Sequence, residues 1–69
     1  MRIVVGAQIK MGNRLFECVG WGGSENEDLL WFTEVLGGKL VGDEFQRPRQ
    51  IIMDLINRKE MEVVRYIAR

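Results

Sequence analysis

LLWFTEVLGGKLVGDEF, residues 29–45, is the stretch whose conformation decides the fold. It admits two readings. As a helix it would start upstream, with Ser24 as the cap and Glu27 three residues on as its capping-box partner. Glu25, Glu27 and Asp28 would then fill the first turn, where the helix dipole favours acids, and Gly37 would end it. As strands, 29–36 and 39–45 form a hairpin about Gly37-Gly38. Side-chain chemistry favours the hairpin. Trp31, Phe32, Thr33 and Val35 are strand formers. In a helix, Leu29, Leu30, Trp31, Phe32, Val35 and Leu36 would cover most of the circumference instead of one stripe. The hairpin is therefore expected, with a helix over 25–36 in a ββαβαβ-like chain as the alternative.

Upstream, residues 2–11 place Ile3, Val5, Ala7, Ile9 and Met11 at alternate positions, the period of a half-buried strand. Gly12-Asn13 suits a type II′ turn, and 14–21 returns as a second strand. That turn sets the register. Met11 faces Arg14, Ile9 faces Phe16, Ala7 faces Cys18 and Val5 faces Gly20, all on one apolar face. The other face pairs Lys10 with Leu15, Gln8 with Glu17, Gly6 with Val19 and Val4 with Trp21, and becomes apolar toward Val4, Val19 and Trp21.

Downstream, Pro48 suits the first position of a helix, and Ile52, Leu55 and Ile56 continue at helical spacing, so 48–58 is expected as the main helix. Residues 61–68 are apolar on both faces in part, which predicts a strand inside the sheet. The expected fold is a single α+β domain over 1–69, with a small antiparallel sheet and one main helix.

The whole-chain quantities narrow the function. Ten basic and ten acidic residues cancel, so no overall attraction draws the chain to nucleic acid or anionic lipid. The charge is segregated all the same, at net −5 over 24–44 and +3 over 45–59. One cysteine excludes an internal disulfide, and with no histidine the chain lacks the usual ligands of a closed zinc site. A free thiol without a leader sequence points to the cytoplasm, and no stretch has the length of a membrane span. Sixty-nine residues make a small core, for which self-association is the available support. Cys18 falls on the apolar face and reads as a small buried hydrophobe.

Without histidine there is no imidazole nucleophile pair, and no pair of carboxylates stands out, so no catalytic residue and no cofactor is expected. Binding candidates remain. Trp21-Gly22-Gly23-Ser24 combines an aromatic with backbone amides able to converge on an anion. Arg47 and Arg49 set two guanidiniums at a helix start, against the dipole, where they suit a phosphate or a partner carboxylate. Trp31 and Tyr66 are aromatics that an interface uses as anchors. The expectation is a non-enzymatic binding or regulatory protein, acting as a homo-oligomer on an unidentified protein partner, in the manner of small phage or mobile-element inhibitors. A nucleotide-like ligand held by Arg47 and Arg49 is the alternative, and nucleic-acid binding a weaker one.

Overall fold

The computed structural model of the chain describes residues 3–23 and 28–67. Five strands and one helix occur in the order β1 (Ala7–Met11), β2 (Arg14–Gly22), β3 (Leu29–Leu36), β4 (Lys39–Pro48), α1 (Arg49–Asn57) and β5 (Glu62–Tyr66). Residues 29–48 are thus the hairpin, and the helical reading of 29–36 is excluded. Its turn has φ of 59° at Gly37 and 79° at Gly38, a pairing of positive angles that side chains resist. Gly12 has φ 64°, as the first hairpin requires. The register of that hairpin is the expected one, with Gln8 opposite Glu17, Ile9 opposite Phe16, Lys10 opposite Leu15 and Met11 opposite Arg14.

The strands form one sheet in the order β4-β3-β2-β1-β5, and every neighbouring pair is antiparallel. Both hairpin turns therefore lie at one end of the sheet, and β4 and β5, its two outer strands, run in the same direction. Strands that share a direction need a crossover. Here α1 supplies it, leaving β4 at the end away from the turns and delivering the chain to β5 at the turn end. Its path over the sheet is consequently diagonal. A helix about 10 Å wide cannot cover five strands spaced about 4.8 Å apart, so an uncovered area remains on each side of the diagonal. One is closed by the N-terminal segment: Ile3 is fully buried in a cluster with Ala7, Ile9, Phe16, Cys18, Leu30, Phe32, Ile52 and Met61. The other, bounded by Met11 of β1, Phe16 of β2, Phe32 of β3 and Phe45 and Arg47 of β4, stays open.

The far face of the sheet carries a row of buried polar groups. The Gln8 amide donates to Glu17 Oε1 at 2.9 Å, and Thr33 Oγ1 donates to the Val41 carbonyl at 3.1 Å. This matches the mixed character expected of that face near Gln8 and Glu17.

Four expectations are corrected. The first strand begins at Ala7, not at residue 2, because the chain turns before it: Ala7 N–H donates to the Val4 carbonyl, and Gly6 has φ 97°. Gly6 then bridges two strands, its N–H donating to the Cys18 carbonyl while its carbonyl accepts from Ile67. Val4, Val5 and Gly6 thereby leave the pairing expected with Trp21, Gly20 and Val19. Second, a bulge between Cys18 and Gly20 inserts Val19 as an extra residue and reverses the facing of the residues after it. Trp21 pairs with Leu30, on the helix side of the sheet, not on the far face. Third, β5 is an edge strand, not an interior one; its partly apolar faces reflect Val63 packing on the core while Val64 and Tyr66 stay exposed. Fourth, Pro48 is the N-cap residue, with ψ 138°, and the helix starts one residue later. Among the described residues no helix is long and apolar enough to cross a membrane.

Candidate functional site

The open area beside α1 is a cleft of about 430 Å³. Its floor is aromatic. Phe45 packs edge-on against Phe16, with ring centroids 5.5 Å apart, and stacks on Phe32 at 5.9 Å and 28°. Such pairs contribute roughly 0.5–1.5 kcal/mol each beyond area burial. Phe16 and Phe32 are buried beneath, whereas Phe45 is only half-buried. Ile51 and Leu55, one turn apart on α1, form the wall, and Met11 closes the turn end. Ile51 is 48% exposed and Met11 39%, so apolar surface is presented to water along this rim.

Two guanidiniums mark the cleft. Arg14 lies 5.0 Å from the Phe16 ring centroid and Arg47 4.9 Å from that of Phe45, both within cation–π range. Their electrostatic situations differ. Arg14 donates from Nε and Nη2 to the two oxygens of Glu34, each at 3.1 Å, a bidentate pair. That pairing holds the Glu34 carboxyl below its ordinary range and pushes the Arg14 guanidinium further up. Among the described residues Arg47 donates to the neighbouring Gln46 carbonyl, at 2.6 Å. Among the described residues the ion pairs are Arg14–Glu34, Arg49–Asp28 and Arg58–Glu60, so Arg47 is a cation without a carboxylate.

A second cluster lies at the end of the sheet away from the hairpin turns, beside the cross-strand row Trp21–Leu30–Arg47 whose last member bounds the cleft. Asp28 accepts from the Trp21 indole at 2.5 Å through one oxygen and from Arg49 Nε at 2.6 Å through the other. The Arg49 backbone N–H donates to the Asp28 carbonyl, and its guanidinium also donates to the Ile3 carbonyl. Arg49 therefore ties the start of α1 to β3 and to the N-terminal segment. Arg49 first, and Trp21 after it, hold the Asp28 carboxyl below its ordinary range. Trp21 is anchored at its nitrogen yet 63% exposed.

The residues singled out in the sequence are dispersed by this arrangement. Arg47 belongs to the cleft. Arg49 and Trp21 belong to the Asp28 cluster, so the two arginines serve different partners and do not form one fork. Trp31 lies on the far face against Gly20 and Gly22; a side chain on either glycine would meet its ring at 3.5–3.7 Å. Gly23 is exposed with φ 144°. Ser24 lies outside the described residues. Tyr66 is 52% exposed at the end of β5, opposite Ala7. Cys18 is fully buried, and burial pushes its thiol up, away from reactivity.

Arg14, Phe45 and Ile51 escaped the sequence reading as site residues. One signal existed for Phe45. Gly42 sits inside the strand, which marks a bulge, and the β3–β4 register does shift between Phe32 and Glu34 before Phe45 pairs with Phe32. Nothing local distinguishes Ile51 from the other apolar residues of α1. The chain matches no family model, and no curated protein or solved structure matches it.

Proposed function

We propose that the chain is a non-enzymatic interaction protein that takes an apolar segment of another polypeptide into the cleft beside α1. The observation that carries this is the uncovered sheet: one diagonal helix leaves a gap of about 430 Å³ floored by Phe45. Amphipathic helices dock in such grooves through apolar anchors one turn apart. The desolvated aromatic floor supplies binding energy, and Arg47 supplies a site for a partner carboxylate at its end. Regulation by occupancy of a partner's surface needs nothing more than this.

The test is site-specific photo-crosslinking in the cells the chain comes from, with p-benzoylphenylalanine placed at Ile51 or, as a control, at exposed Lys10 on the far face. The expected result is a defined protein adduct from position 51 and none from position 10. Adducts from position 10 alone, or none from 51, would overturn the reading.

A further inference from the structure

Resting on that reading, we infer that the polypeptide entering the cleft is α1 of a second copy of this chain. A two-fold dimer requires one patch to carry both the protruding group and the hollow that accepts it. This patch does. Ile51 stands 48% exposed on the cleft's own rim, so a two-fold axis beside α1 sets Ile51 of each copy into the cleft of the other. The charges agree. Asp54, three residues after Ile51, lies on the adjoining solvent side of α1. Its described partner is the Gln50 amide, at 2.9 Å, and no ion pair among the described residues uses it. Arg47 is the cleft's unmatched cation. Asp54 beside the cleft and Arg47 within it are thus, among the described residues, an acid and a base with no ion pair, and antiparallel docking of the two helices brings Asp54 of each copy to Arg47 of the other. Glu34 already neutralises Arg14, which leaves Arg47 as the charge that selects the partner. A core this small also gains from an added apolar layer.

Sedimentation equilibrium on the purified full chain, from micromolar to millimolar, tests the assignment with three variants. Asp54→Arg and Arg47→Glu should each weaken the dimer by about tenfold or more, and their equimolar mixture should recover it, because opposite charges meet again across one interface. Ile51→Asp should abolish it while far-UV circular dichroism stays unchanged. A wild-type chain that is monomeric at millimolar concentration, or a dimer indifferent to all three substitutions, would overturn the inference. The two readings fail separately. A position-51 adduct with a different protein sinks the second copy and keeps the cleft, whereas the absence of any position-51 adduct removes the cleft itself.

Discussion

On the helix side of one sheet, the end closed by the N-terminal segment and the end beneath Ile51 are built from the same kinds of residue and reach opposite states. At the first, Ile3, Ala7, Cys18 and Leu30 have no exposed surface. At the second, Met11 and Ile51 are 39% and 48% exposed around a cleft of about 430 Å³. Composition does not separate them. The path of α1 does: it crosses from one outer strand to the other, and only one of the areas it leaves uncovered has a further segment to fill it. Hydrophobic residues are thus a requirement for a core, whereas closure depends on what the chain can lay over them.

The largest test of this contrast is truncation at each end. Leu30→Ala should cost about 2–5 kcal/mol through lost burial and a cavity, a large share of the roughly 3–10 kcal/mol available to a domain of this length. Ile51→Ala, in dilute solution, should cost no more than about 0.5 kcal/mol. Equal costs in urea melts would mean that the cleft is packed in solution. A glycine pair comes next. Gly6 and Gly42 have similar φ, 97° and 79°. A Cβ on Gly6 would sit 2.3 Å from the Ile67 carbonyl oxygen, whereas nothing lies within 4 Å of one on Gly42. Gly6→Ala should therefore cost about 3 kcal/mol and loosen the β1–β5 edge. Gly42→Ala should show only left-handed strain, about 1–2 kcal/mol. Hydrogen exchange of the Ile67 amide reads the difference directly.

The smallest effect is acid sensitivity, for which each end carries one depressed carboxyl: Asp28 at the closed end and Glu34 at the open one. A carboxyl held below its ordinary value in the folded state adds stability above its unfolded value, and that stability fades as pH falls through the folded value. The loss should begin below about pH 4. Asp28→Asn and Glu34→Gln should each flatten the acid limb of the unfolding midpoint against pH. Only the Asp28 titration should alter Trp21 emission, since that carboxylate holds the indole. Asp28 is exposed and Glu34 only half-buried, so the shifts should be small, and a Trp21 signal that tracks Glu34 instead would contradict the separation of the two ends.

Much of the backbone was legible because its signals are local. Gly12 and the Gly37-Gly38 pair take positive φ, and each turn thereby sets the register of its hairpin. The apolar spacing of Ile52, Leu55 and Ile56 after Pro48 marked the helix. Less of the site was legible. Arg47 was identified as a binding residue and stands at the cleft, but its expected companion Arg49 is held by Asp28, more than twenty positions earlier in the chain. Trp21 was placed on the wrong face because one inserted residue, Val19, reverses side-chain direction, and nothing in its identity announces that insertion. By itself the sequence determined the two glycine turns, the strands that flank Gly12-Asn13, where the helix lies and that Cys18 is buried, since each depends on backbone preference or alternation over a few residues, whereas it left residues 29–36 open between strand and helix. Only the tertiary structure decided that β5 lies at the edge, that α1 runs diagonally, and that Phe45, Ile51 and Arg47 frame one cleft. Those outcomes depend on which distant segments pair and how much of a five-strand face one helix can cover, and no short window of residues encodes either.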